Sequence, residues 1–227
     1  MKKATSILLL TMVTAIAYSQ INYVRLDQIS GVPMTITYNL EEENKIDGSR
    51  YYEDEWSEIK VIKRDGLNIL IPEGKYDIYG DDIIVKKDGG AYRLDGKKEI
   101  VNFFLDDRNF EASTFINAGF IDFGFFEVLF KGENVVLYKK KICLIERGKP
   151  SNGIVAGTPD KFTLKEDYYV KKVIQNSDAL KLKTGRKKVL LKSNEYLELS
   201  AYLESKREGY ESDDQLIELF RGFDESI

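Results

Sequence analysis

Turn-forming clusters recur through the first two thirds of the chain at intervals too short for helices, and this spacing is what most limits the fold. They read Arg64-Asp65-Gly66, Pro72-Glu73-Gly74, Gly80-Asp81-Asp82, Asp88-Gly89-Gly90, Asp95-Gly96-Lys97, Asp106-Asp107-Arg108-Asn109, Asn117-Ala118-Gly119 and Gly132-Glu133-Asn134. Gly, Asn and Asp accept the left-handed backbone that tight turns require. The segments between them are rich in Val, Ile, Tyr and Phe and alternate with polar residues. Met34, Ile36, Tyr38 and Leu40 share one face of an extended chain, as do Leu67, Ile69 and Ile71. A period of two buries one face of a strand and wets the other. The pattern predicts a mainly antiparallel β meander, sandwich or barrel-like. The run Glu41 to Glu55, EEENKIDGSRYYEDE, interrupts it with charge and reads as a mobile surface loop.

The last third differs. After the turn formers Gly148 to Gly153, Asp167 to Val173 reads as a further strand, and helices are expected from Arg186 onward. Ser212-Asp213-Asp214-Gln215 has the form of a capping box, with both aspartates in the first turn, where the helix dipole favours negative charge. Leu216, Ile217, Leu219 and Phe220 supply its buried stripe, and Gly222 suits a C-terminal stop. The fold class expected is α+β: the β meander followed by two or three short C-terminal helices. Residues 20–150 form the β domain, and residues 151–227 supply a loop, a strand and a helical cap packed on it.

The first residues, MKKATSILLLTMVTAIAYSQ, join two lysines, an apolar run from Ile7 to Ala17 and the small residues Ala17 and Ser19. This is the pattern of a secretory signal peptide over residues 1–19, removed before Gln20. The apolar run is shorter than the roughly 20 residues of a spanning helix, so no membrane insertion is expected once it is cleaved. The expected setting is the periplasm or the outside of the cell.

Composition narrows the chemistry. Loss of Lys2 and Lys3 with the leader takes the formal charge from −4 to −6, and no segment is dominantly basic. Nucleic acid is therefore not an expected partner. The short runs Lys139–Lys141 and Arg186–Lys188 read as solvated strand edges. The chain has no histidine, which removes the usual Ser-His-Asp, Cys-His and His-rich zinc sites. Its single cysteine, Cys143, lies in an apolar strand and reads as a small buried hydrophobe. No cofactor, metal site or catalytic residue is expected.

Some motifs carry less than their letters imply. Ser57-Glu58-Ile59-Lys60 and Lys183-Thr184-Gly185 match two β-lactamase motifs, but Ser57 leads into a β-branched run rather than a buried helix. The pairs Asp81-Asp82 and Asp106-Asp107 read as turns, and Asp213-Asp214 as a helix start. Tyr51, Tyr52 and Trp56, beside the acidic run, are the candidate ligand platform, although Trp56 also suits the closing of a core. Five of the twelve phenylalanines fall between Gly119 and Tyr138, with Glu127 the acid inside that strand. Strand alternation reads Glu127 as outward-facing and marks it as the fourth candidate binding residue. Both faces of this segment are apolar, which places it centrally, where the sheet meets the helices.

The runs Lys75 to Ile83, Gly124 to Gly132, Lys165 to Tyr169 and Asp213 to Ile217 together resemble a broad group of secreted β-rich proteins from Bacteroidetes-type bacteria. The resemblance implies a cell-envelope or secreted setting and assigns no reaction and no catalytic residue. Secretion and the missing chemistry lead to the expectation of a non-enzymatic binding or scaffolding module whose partner is a protein or glycan of the cell envelope. Two alternatives stand beside it: a histidine-free carbohydrate-active hydrolase or lyase using Asp, Glu and Tyr, and a small-molecule carrier if the meander closes into a barrel. The export reading predicts that protein recovered from the periplasm or medium begins at Gln20, which N-terminal sequencing checks; an uncut Met1 would contradict it.

Overall fold

The strands turn back where aspartate and glycine take left-handed backbone: Asp81, Asp88 and Asp106 have φ of 54°, 50° and 51° at three successive hairpins. The computed structural model describes residues 22–36, 46–117, 119–151, 156–173, 177–185, 188–191, 196–206 and 210–227. The leader, Tyr38, Leu40, Glu41 to Lys45, Ala118, Asn152, Gly153, Arg186 and Lys187 lie outside these.

The strands are β1 (Val24–Arg25), β2 (Met34–Ile36), β3 (Ser57–Lys63), β4 (Asn68–Asp77), β5 (Asp82–Lys87), β6 (Gly90–Leu94), β7 (Ile100–Leu105), β8 (Arg108–Asn117), β9 (Phe120–Lys131), β10 (Val135–Glu146), β11 (Lys161–Lys172) and β12 (Leu180–Lys181). They form one 12-stranded sheet in the order β12-β11-β10-β9-β8-β7-β3-β4-β5-β6-β2, with β1 paired in parallel to β4 and all other pairs antiparallel. A small hairpin of β13 (Lys183–Gly185) and β14 (Lys188–Leu190) precedes two helices, α1 (Leu197–Lys206) and α2 (Asp213–Asp224). The fold is α+β, a mainly antiparallel meander with two short C-terminal helices among the described residues.

The meander is two meanders joined at β3. The chain runs β3 to β6, then returns to pair β7 with the free edge of β3. Its link contains a 3-10 turn, Lys97–Glu99, and reaches roughly 16 Å, whereas β6 and β7 would stand about 19 Å apart in a flat sheet. The sheet is therefore curled, and it does not close. Pro72-Glu73-Gly74 is not a turn, as expected from its letters, but lies inside β4 opposite the irregularity between Ser57 and Ile59. A strand proline is tolerated at such a break in the ladder.

Three apolar clusters organise the molecule. The first fills the curl: Phe103 stacks on Phe110 at 4.6 Å, Tyr76 and Phe125 pack edge-on to Phe103, and Cys143 and Phe162 close over it from β10 and β11. The second lies beneath the helices, where Leu216, Phe220 and Phe223 of α2 meet Val135, Leu137, Tyr168 and Val170. The third packs Phe115, Phe126, Tyr138 and Tyr169 together on the other face of the β9–β10–β11 segment. Both faces of the Phe-rich strand are thus apolar, as its letters require. A bulge decides which phenylalanine goes where. Leu137 pairs with Phe130 and Tyr138 with Val128, so Leu129 is the extra residue. Strict alternation would put Phe126 and Phe130 on one face; the bulge sends Phe130 to the helices and leaves Phe126 opposite them.

Two expectations change in detail. Of the run Glu41 to Glu55, expected to be a mobile loop, the described part from Ile46 is tied down: Asp47 exchanges backbone hydrogen bonds with Asp160 and Phe162, Tyr52 N–H donates to Tyr76 and Ile78 N–H to Arg50. Gly222 does not stop α2, which continues to Asp224. A Cβ at Gly222 would lie 2.8 Å from Tyr202 Oη, so the glycine permits close approach of the two helices. The Ser212 half of the capping box forms as expected, its hydroxyl accepting from Gln215 N–H at 3.4 Å, while the Gln215 side chain turns back one residue further and accepts from Glu211 N–H at 2.8 Å. Phe126 is completely buried among three rings. Phe126→Ala is expected to cost about 3–5 kcal/mol in thermal or denaturant unfolding; a change near zero would contradict the packing.

Candidate functional site

β9 and β10 are paired only between Glu127–Lys139 and Lys131–Val136. Beyond Glu127, β9 stays with β8 out to its turn, while β10 stays with β11 out to Glu146. The two strands therefore fork. At the apex the backbone of Phe125 has no strand partner on the β10 side, and side chains take that place. Its N–H donates to the Asp81 carboxylate, at 3.3 Å and 3.4 Å to the two oxygens, and its carbonyl accepts from Lys140 Nζ at 3.0 Å.

Asp81 reaches the apex from the left-handed position of the β4–β5 turn. Its carboxylate also accepts from Tyr76 Oη at 2.6 Å and pairs with Lys140 at 3.1 Å and Lys97 at 3.0 Å. Burial opposes its ionisation, but the two ammonium groups and the Tyr76 hydroxyl outweigh burial and hold the carboxyl below its ordinary value. Burial lowers the Lys140 pKa, against the pull of Asp81. The Lys140 cation also faces the rings of Phe126 and Phe115, 4.8 Å and 5.5 Å from their centroids. Gly124 makes room for the pair: a Cβ there would collide with Asp81 and lie 2.6 Å from Lys140 Nζ.

The mouth of the fork is a cleft of ≈ 380 Å³ whose walls include Asp81, Phe123, Lys140, Cys143, Tyr169 and Lys181. Asp167, on the same wall, is paired with Lys181 at 2.6 Å and Lys165 at 3.5 Å. Burial and the nearby Asp77 raise the Cys143 thiol above its ordinary pKa, so it is poorly suited to act as a thiolate nucleophile. A wider hollow between α1 and α2, ≈ 650 Å³, is lined by surface side chains such as Lys206, Asp214 and Glu218.

The four residues singled out from sequence come together in two pairs. Tyr52 is buried and donates from its hydroxyl to Glu127 Oε2 at 2.9 Å. Glu127, expected to face outward, is only 8% exposed, because the tied-down segment carrying Tyr52 covers it. It pairs with Lys139 at 3.4 Å and Arg108 at 3.7 Å, and Lys139 continues to Asp213 at 2.6 Å, which also accepts from Tyr168 Oη at 2.7 Å. Burial, then the Glu127 charge, raises the Tyr52 pKa. Asp213 is lowered: the hydrogen bonds from Lys139 and Tyr168 overcome its desolvation. The second pair is joined by a cation: Lys75 Nζ sits 4.8 Å from the Tyr51 ring and 4.9 Å from that of Trp56. Trp56 is half-buried beside β3.

Asp81 and Lys140 were hidden by local readings. Asp81 is a turn residue, as its letters say, and also the hub of the apex. Lys139 and Lys140 are buried, not solvated. The available signals were three consecutive lysines inside an apolar strand, which alternation cannot all turn to water, and Gly124 within a strand, which marks a close approach. The motif residues Ser57 and Lys183 lie on strands β3 and β13, away from the helical setting that SxxK chemistry requires.

Comparison with known proteins finds no matching family model and no similar curated protein or solved structure. Asp81→Asn is expected to cost about 3–5 kcal/mol, because it leaves Lys140 buried without its counter-charge. Stability from Asp81 and Asp213, whose folded pKa values are lowered, is present above the unfolded carboxylate range, about pH 4, and is lost as pH falls through the folded values. Urea unfolding followed from pH 6 to pH 2 checks this: Asp81→Asn should flatten the acid loss, and a slope unchanged from wild type would contradict the assignment.

Proposed function

We propose that the protein is a non-enzymatic binding module of the cell envelope, exported by its leader to the periplasm or beyond, and that it holds its partner at the fork between β9 and β10. The supporting observation is how the cleft's charges are used. Asp81 is bound by Lys140, Lys97, Tyr76 and a backbone N–H, and Asp167 by Lys181 and Lys165. These are positioning contacts, which build a rigid polar floor under the cleft.

Two alternatives fare less well. A glycosidase needs a carboxyl whose pKa is raised so that it can donate a proton. Asp81, at the floor, is shifted the other way, and Asp82, whose carboxyl burial raises, does not line the cleft. A barrel carrier needs a void inside the sheet, whereas the curl is filled by Phe103, Phe110, Tyr76 and Phe125.

The test uses isotope-labelled protein titrated separately with purified peptidoglycan fragments, cell-surface polysaccharide and a mixture of linear peptides. One of these is expected to shift the amide resonances of Phe123, Tyr169 and Lys181 while remaining intact by mass spectrometry. Breakdown of any of them, or shifts confined to residues outside the cleft, would refute the proposal.

A further inference from the structure

The fork leaves part of a β-strand edge unpaired inside the sheet. Strand backbone groups alternate in direction, so a residue two positions from Phe125 aims its N–H and C=O the same way. Since Phe125 points away from β8, toward Asp81 and Lys140, Phe123 and Ile121 do too. The Phe123 N–H is met by the side chain of Asp122 at 2.8 Å. For Ile121 and for the Phe123 carbonyl, no partner from β10 is present among the described residues. An open edge of this kind is a template for another strand, and proteins usually cover it, shorten it or guard it with charge.

Here the edge carries apolar residues. Phe120 is 77% and Ile121 70% exposed, Ile116 pairs with Ile121 across the hairpin and is exposed as well, and Leu144 is exposed on the β10 arm of the fork. The cleft volume of ≈ 380 Å³ falls within the range of roughly 300–1,000 Å³ typical of ligand sites. Its floor is closed by Asp81 and Lys140, which already occupy the strand position opposite Phe125. A chain entering from the mouth would therefore pair with Ile121 and Phe123 and stop at the floor.

We propose that the partner is an extended peptide segment of another protein, taken into the fork as an added strand on β9, with apolar side chains at alternate positions against Ile121 and Phe123. This rests on the cleft being the binding surface and names the chemistry it reads. Main-chain hydrogen bonds supply affinity in strand addition, and the alternate side chains supply selectivity. The apex pair fixes one end of the edge, and pairing at Phe123 displaces the Asp122 side chain from its N–H.

The test pans a phage-displayed library of linear dodecapeptides on the full mature chain, then N-methylates the selected peptide at each residue in turn. Strand pairing predicts that methylation at every second residue weakens binding tenfold or more, while intervening positions change it less than threefold. Ile121→Pro, which deletes an N–H facing the fork and none that pairs with β8, is expected to weaken the unmodified peptide at least tenfold. Should that variant not fold, the methylation pattern on the wild-type chain decides. Binding that is lost in Phe123→Arg but shows no alternation would overturn strand addition and leave the cleft as a binding surface. No peptide enriched over background, with resonance shifts from polysaccharide instead, would overturn the peptide and assign the cleft to glycan. Self-association through β9, seen as a dimer in sedimentation and abolished by Ile121→Pro, would overturn it in favour of a second copy of this chain.

Discussion

The carboxylate of Asp81 holds together parts of the chain that no continuous ladder joins. It receives the hydroxyl of Tyr76 from β4, the ammonium of Lys97 from the link between the two meanders, the N–H of Phe125 from β9 and the ammonium of Lys140 from β10. Without Asp81 and Lys140, the N–H and C=O of Phe125 would face a break in the sheet without those partners, and an unmet buried backbone group costs about 1–3 kcal/mol. The pair is itself costly to bury. Its net value lies in combining two desolvated charges with two backbone groups that need partners, so that each offsets the penalty of the other.

A second set of charges locates the helical cap. Along one face of β10 the residues are Val135 and Leu137, then Lys139 and Lys141, then Cys143 and Ile145. The first two belong to the cluster under the helices, the last two to the cluster in the curl, and the lysines separate them. One strand face therefore serves two apolar cores with a polar seam between. The seam sets the position of α2: Asp213 at its start reaches Lys139 and Tyr168, and Asp224 at its end accepts from the N–H groups of Glu133 and Asn134 in the β9–β10 turn. Gly132 has no Cβ because Asp224 fills that space. Apolar burial supplies most of the docking energy, and the two aspartates fix the register in which the helix docks.

Much of this architecture is local and was legible. Turn chemistry located the hairpins at Asp81, Asp88 and Asp106, two-residue alternation marked the strands, and Ser212 to Gln215 announced the last helix. Each of these depends on neighbours within a few residues. What was not legible depends on partners far along the chain. Glu127 is read as outward because alternation allows it, and only the distant Tyr52 covers it. Lys139 and Lys140 look like a wet edge until Asp213 and Asp81 arrive from 74 and 59 residues away. The bulge at Leu129 escapes for a different reason: nothing in the residues Glu127 to Phe130 differs from a regular strand, and the extra residue is needed only because Phe126 and Phe130 must enter different cores.

That requirement also accounts for the fork. β10 and β11 run together for twelve pairs, long enough to reach from the helical cap to the far side of the curl. β9 is held by β8 in the wall of the curl from Phe120 to Glu127. A strand that stayed paired with both would have to follow the wall and cross over the core at once. The sheet resolves this by parting after Glu127, where Tyr52, Lys139 and Arg108 satisfy the last shared charge. Closing the cleft would mean straightening β10 along the wall, which would withdraw Cys143 and Ile145 from the first core. The open edge of β9 is therefore a consequence of asking one long hairpin to cover two cores, and packing maintains it in the absence of any ligand.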